Sequence, residues 1–169
     1  MGIVFVFGGQ AVYIELDAIF ASEGERRDFD YEFVLEDEVI ASPVQVRGCV
    51  FNKTGIVSLN ASAVYLLNAS CARCGESVSR TESVNIDHTL ISHSENDDND
   101  YFIVVDNMRL DLDELVSEDI FLAMPSRYLC SEDCKGLCSI CGANLNREAC
   151  SCKRIADPRW DVLNDLFDN

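Results

Sequence analysis

Residues 44–69 read VQVRGCVFNKTGIVSLNASAVYLLNA, and the rest of the fold is organised around this stretch. Val44, Val46, Gly48 and Val50 alternate with Gln45, Arg47, Cys49 and Phe51. Successive side chains of a strand point to opposite faces, so a period of two marks a strand with one buried face. Asn52-Lys53-Thr54-Gly55 supplies a turn, its glycine giving the backbone freedom that a hairpin needs. Val57, Leu59, Ala61, Ala63, Tyr65, Leu67 and Ala69 then hold one parity along a second, longer strand.

The pattern continues on both sides. Upstream, Phe29, Tyr31 and Phe33 alternate with Asp30 and Glu32. Downstream, after Cys71-Ala72-Arg73-Cys74-Gly75, it resumes through Val78, Arg80, Val84, Ile86, His88 and Leu90. Strands in this succession suggest an antiparallel meander. Ser94 to Asp100 (SENDDND) reads as a solvated acidic loop, since the glycine and spacing of a calcium loop are missing. Asp111 is placed to cap a helix near 111–124, with Glu114 three residues on, Leu112, Leu115, Val116, Leu122 and Ala123 as its apolar stripe, and Pro125 as its stop. Asp157 and Pro158 open a last helix that lines up Trp160, Leu163, Leu166 and Phe167. The expectation is an α+β fold. A mainly antiparallel β domain would cover 1–129, and a zinc-binding cysteine module with a C-terminal helix packed on the body would cover 130–169.

The chain of 169 residues has a formal net charge of -17, unevenly spread. Residues 1–129 hold 8 basic against 23 acidic side chains, residues 130–155 hold 4 against 3, and residues 156–169 hold 1 against 4. An acidic body repels phosphate backbones, which disfavours broad non-specific binding of nucleic acid, and it suits a basic protein partner. Solubility alone accounts for most of these charges. The apolar start, Gly2 to Phe7, is far shorter than the roughly 20 residues of a spanning helix and lacks a basic n-region and cleavage site. The expectation is a cytoplasmic protein with no membrane partner, whose thiols stay reduced.

Eight of the nine cysteines fall in pairs: Cys71-x2-Cys74, Cys130-x3-Cys134, Cys138-x2-Cys141 and Cys150-x-Cys152. A two-residue spacer lets one tight turn aim both thiolates at a point, and Gly75 and Gly142 relieve the backbone just after it. These spacings point to two zinc ions held by four sulfurs each. Local closure favours Cys138, Cys141, Cys150 and Cys152 as one site, which leaves Cys71, Cys74, Cys130 and Cys134 for the other. The rival arrangement joins the two Cys-x2-Cys turns. An iron–sulfur cluster also takes four thiolates and stays open as an alternative. Cys49 has no paired neighbour and reads as a small strand residue.

Nothing catalytic assembles around these ligands, and no small-molecule substrate is implied. An open zinc site keeps three protein ligands and a water, and only His88 and His93 are present. His88 shares the parity of Ile86 and Leu90, as a buried or edge residue would, while His93 opens the acidic loop. The reading of the chain as a non-enzyme has one rival, a thiol-redox or metal-dependent enzyme using the cysteine pairs, which needs an exposed low-pKa thiolate or an open coordination position.

Pro125, the run Leu-Cys-Ser-Glu-Asp-Cys-Lys-Gly-Leu-Cys (129–138), Ile-Cys-Gly-Ala-Asn-Leu-Asn (140–146), Cys150-Ser151-Cys152 and Asp157-Pro158-Arg159 resemble the bacterial YceD family, the large ribosomal RNA subunit accumulation proteins. Cys71-Ala72-Arg73-Cys74 and the acidic segment Leu110 to Met124 resemble the family's middle section. Ser139 departs from it, standing where many relatives carry proline. The resemblance implies a part in accumulation or processing of large-subunit ribosomal RNA and in ribosome assembly, and it does not imply an enzyme. The partner would be ribosomal RNA or a basic ribosomal protein in an assembly intermediate. Arg73, Lys135, Arg147, Lys153 and Arg154 could form a small cationic patch near the metals that touches phosphates; equally, they could offset the net charge of -2 that four thiolates leave on a zinc ion.

Overall fold

The computed structural model describes residues 12–93 and 102–152, which divide into two compact units. The first comprises residues up to Ala69 together with Val78–Ser126; the second comprises Ser70–Ser77 and the chain from Arg127 onward. The apolar start, the acidic loop after His93, the C-terminal helix expected from Asp157, and Lys153 and Arg154 lie outside the described residues.

In the first unit the elements run β1 (Tyr13–Glu15), α1 (Asp17–Ala21), β2 (Arg26–Phe33), β3 (Ile40–Lys53), β4 (Ile56–Ser70), β5 (Ser77–Ile91), β6 (Phe102–Val104), β7 (Arg109–Asp111) and α2 (Leu112–Ala123). Strands β2 to β6 form a five-stranded sheet in chain order, and β1 pairs with β7 in a separate two-stranded one. The quoted stretch is its central hairpin. Lys53 pairs with Ile56, so the loop is Thr54-Gly55, both at positive φ (54° and 85°), the backbone of a type I′ turn whose twist matches the strands it joins. Asn52, buried at this end, donates from Nδ2 to the Ile19 carbonyl (2.8 Å) and accepts from the Gly55 N–H (3.0 Å), fastening the turn to α1.

The expected alternation is the one that is buried. Phe29, Tyr31 and Phe33 of β2, Val44, Val46 and Val50 of β3, and Val57, Leu59, Ala63, Tyr65 and Leu67 of β4 are all in the core. Gly48 faces Ala61 across β3 and β4, and a β-carbon there would stand 2.5 Å from that of Ala61, so the close approach of the two strands requires glycine. The connection from β4 to β5, Cys71–Glu76, is too short for a parallel crossover, and the meander continues through it. Along β5 the parity holds at Val78, Ile86 and Leu90, but Arg80 is exposed, paired with Glu82, and Val84 is only half-buried.

Three elements depart from a simple meander. β6 runs parallel to β5, with Thr89 beside Phe102 and Ile91 beside Val104. β1 and β7 pair antiparallel, Ile14 opposite Leu110. Strands of three residues are too short to display an alternation, so only long-range pairing defines them. Helix α2 begins as expected: Asp111 Oδ1 accepts the N–H groups of Asp113 (3.0 Å) and Glu114 (3.1 Å), satisfying donors that the first turn leaves unpaired. Its buried stripe, however, is Leu112, Leu115, Val116 and Ile120. Leu122 is 84% exposed and Ala123 is also exposed, which corrects the expectation for the last turn. That turn stops short of Pro125 after passing the end of the packed stripe.

Candidate metal centres

The second unit is built from two tight turns and the segments that tie them. Cys71 and Cys74 stand on the turn between β4 and β5, where the Cys71 carbonyl accepts the Gly75 N–H (2.8 Å). The same device recurs at Cys138, whose carbonyl accepts the Gly142 N–H (2.9 Å) while its own N–H donates to the Ala143 carbonyl (2.8 Å). The Ile140 N–H points at Cys138 Sγ (3.5 Å), so the turn itself donates to a sulfur that it presents.

Two groups of four sulfurs result. In the first group, formed by Cys71, Cys74, Cys130 and Cys134, and in the second, formed by Cys138, Cys141, Cys150 and Cys152, all sulfurs lie within 4.8 Å of one another. Cys71 Sγ stands 3.7 Å from Cys134 Sγ, and Cys74 Sγ 3.6 Å from Cys130 Sγ. Four sulfurs at about 2.3 Å from one ion are separated by about 3.8 Å along the edges of a tetrahedron, so the first group fits one ion at its centre. Each group could hold a metal ion, and the rival joining of the two Cys-x2-Cys turns is not the grouping adopted. Cys49 lies buried in β3, in neither group.

The groups differ in shielding. Cys71, Cys74 and Cys134 are buried and only Cys130 is exposed, whereas Cys138, Cys150 and Cys152 are half-buried and Cys141 is exposed. Without an ion the thiols titrate unevenly. Burial would push Cys71 up, but backbone N–H groups of Cys130, Arg73 and Cys74 hold it down to about 6. The N–H groups of Cys141 and Ile140 bring Cys138 to about 6. Opposite them, the Glu76 N–H favours the Cys74 thiolate, yet burial and the neighbouring sulfurs drive Cys74 up to about 12. The Cys141 sulfur, with burial, does the same to Cys152, also to about 12. Cys71 and Cys134 in the first group and Cys138 in the second thus lean toward the thiolate, and a bound cation would supply the field that drives off the remaining protons.

Residues beyond the cysteines hold these groups in place. Asn146 Nδ2 donates to Cys134 Sγ (3.3 Å) and its Oδ1 accepts the Lys135 N–H (2.8 Å), so one amide fixes a ligand and the backbone beside it. Asn144 Oδ1 accepts from the Asn146 N–H (3.0 Å), and Asn144 Nδ2 donates to Glu76 Oε1 (3.1 Å). Cysteine spacing alone does not point to Glu76, Asn144 or Asn146 as site residues. The recurrence of asparagine at 144 and 146, directly after the second turn, is the signal that could have found them.

Among the five cations expected to make a patch, Arg73 donates from Nη1 to the carbonyls of Cys134 (2.8 Å) and Glu132 (3.3 Å), and Arg147 pairs with Glu76 (2.6 Å). Lys135 is exposed, and the other two lie outside the described residues. His88 is a member of neither group; its Nε2 stands 2.7 Å from Asp119 Oδ2, linking β5 to α2. His93 is exposed.

No solved structure matches this chain. A curated relative from Arabidopsis thaliana, the chloroplastic large ribosomal RNA subunit accumulation protein YCED homolog 1, is 25% identical over 150 residues, 71% of this chain and 47% of that protein. The chain thus spans about half the length of the curated relative it matches. The family model for the large ribosomal RNA subunit accumulation protein YceD matches residues 59–167, a span that holds most of β4, all of β5 and α2, and all eight clustered cysteines, and the chain belongs to that family.

Proposed function

We propose that this chain is a non-enzymatic zinc-binding factor of the cytoplasm that supports accumulation and processing of large-subunit ribosomal RNA during ribosome assembly. The observation that carries the structural half of this reading is the pair of four-sulfur groups, each within 4.8 Å. Four thiolates fill the tetrahedron that zinc prefers, leaving no position for a water or a substrate, which is the signature of a structural ion. A multi-iron cluster would have to spread its four thiolates around several metal atoms, so the close set favours a single ion. The zinc would hold together turns that carry little apolar core of their own, since the module's Leu137 and Ile140 are exposed (48% and 57%).

The RNA half rests on family membership. Because Arg73 and Arg147 are engaged inside the module, the larger charged feature left for a partner is the acidic body, which favours a basic ribosomal protein over direct contact with RNA phosphates. Depletion of the protein, followed by complementation with wild type or with Cys138→Ser/Cys141→Ser, tests the whole reading. Depletion should lower the ratio of large- to small-subunit RNA, and only wild type should restore it. An unchanged ratio on depletion would sink the proposal; rescue by the variant would remove the metal from it.

A further inference from the structure

The first unit holds a groove of about 530 Å³ that the metal centres do not explain. Its floor is apolar, with Val105, Leu110 and Leu115 buried beneath it. Its walls carry four carboxylates, Asp106, Asp111, Glu114 and Glu118, against one guanidinium, Arg109. That guanidinium is already engaged, lying 3.8 Å over the ring of Tyr13 and 3.6 Å from Glu15. Asp111, paired with Tyr13 across β1 and β7, also holds that phenol above its ordinary value, as a negative field at the groove mouth would.

The arrangement of the carboxylates says what kind of cation they suit. Among the described residues, only the two cysteine groups bring three or more ligand atoms within 4.8 Å of one another. The groove's acids therefore do not converge on a point, as a metal ion would require, but are spread along it. Spread carboxylates match cations spaced along a chain, and an apolar floor accepts the aliphatic stems of lysine and arginine. One side of the groove is formed by Ile103 and Val104 of β6, the last strand of its sheet, and no described strand lies on its outer side. A strand at the end of a sheet is where an extended segment can add through its backbone.

We infer that this groove binds an extended, lysine- and arginine-rich protein segment, which adds along the outer edge of β6 and sets its cations among Asp106, Asp111, Glu114 and Glu118. Nucleic acid is the wrong partner here, because its phosphates would face the carboxylates. The inference deepens the proposed function by naming the class of partner. It can fail without that function failing, since binding of a peptide and the ratio of ribosomal RNAs are separate readouts.

The test uses the full, metal-loaded chain and a labelled synthetic peptide that alternates Lys or Arg with Val and Thr, followed by fluorescence anisotropy. Binding should occur, weaken with added salt, and fall roughly tenfold in Glu114→Gln/Glu118→Gln, while Glu36→Gln/Glu38→Gln, outside the groove, stays within about twofold. Hydrogen exchange at residues 102–104 should slow on binding. Absence of binding overturns the inference, and so does an equal loss in both variants. Spermine binding as tightly as the peptide, or exchange at 102–104 unchanged, would reduce the groove to a general attraction for cations and overturn it as well.

Discussion

The carbonyl oxygen of Arg73 lies 3.0 Å from where a β-carbon on Gly136 would stand, and it accepts the N–H of Leu137 at 3.2 Å. Gly136 also holds φ at +74°, and its own carbonyl accepts the Leu145 N–H (2.9 Å). The glycine between Cys134 and Cys138 is thus where the first cysteine turn is pressed against the segment linking the two centres. Both space and backbone conformation demand it. Gly136→Ala should cost about 1–3 kcal/mol from the conformation alone. Because that cost falls on the scaffold of both centres, the variant should release metal to a chromogenic chelator faster than wild type. A variant with wild-type release and unfolding temperature would show that the contact yields without consequence.

Asn146 gives a sharper test of the first centre. Its amide donates to Cys134 Sγ and receives the Lys135 N–H, so its removal frees a ligand without removing one. Losses of this kind cost about 10–100-fold in metal affinity. Asn146→Ala should show that loss in competition with a chelator, and for one of the two ions only. Equal weakening of both ions would mean that the amide supports the module as a whole and not Cys134 in particular.

The two centres should also empty in order. Three sulfurs of the first are buried, while the second has none that is. Under a limiting chelator or a thiol-modifying reagent, Cys138, Cys141, Cys150 and Cys152 should react before Cys71, Cys74 and Cys134. Mass spectrometry of partly modified protein reads the order directly. Simultaneous reaction of all eight would indicate that the centres unfold as one.

Much of this was legible in the sequence, for reasons that lie in scale. The hairpin of β3 and β4 is long enough to repeat its alternation many times, and Thr54-Gly55 marks its turn. Helix α2 announces itself through Asp111 and Pro125. The cysteine spacings carry their own geometry because each pair is closed locally. What stayed hidden is non-local. The pairing of Tyr13 with Asp111 spans most of the chain, and Glu76 meets Asn144 across 68 positions, so no window of sequence contains either. Leu122 misled for a different reason: it falls beside Leu115 on a helical projection, but a projection does not say where the core ends.

Asp113 offers a prediction about pH with a definite sign. Burial in the first unit raises its carboxyl above the ordinary carboxylate range, against the Val12 N–H, which donates to Oδ2 at 3.2 Å, and the Tyr31 hydroxyl; Asp111 adds repulsion. The help from Tyr31 is weak, because neither its hydroxyl nor Asp113 Oδ1 has a hydrogen-bond partner of normal length. A carboxyl whose native value is raised binds its proton more tightly folded than unfolded, where the ordinary value is about 3.9. Its stabilising effect is therefore complete below that unfolded value and is lost as pH rises through the native one. Asp113→Asn removes this dependence and keeps an acceptor for Val12. The stability of the variant relative to wild type should accordingly increase from about pH 4 toward neutrality, by less than about 1 kcal/mol because the group is partly exposed and screened. Thermal unfolding of both proteins across that range, with metal in excess, measures the difference while cancelling effects common to the two. A difference that is flat with pH, or that shrinks toward neutrality, would mean that burial does not govern this carboxyl.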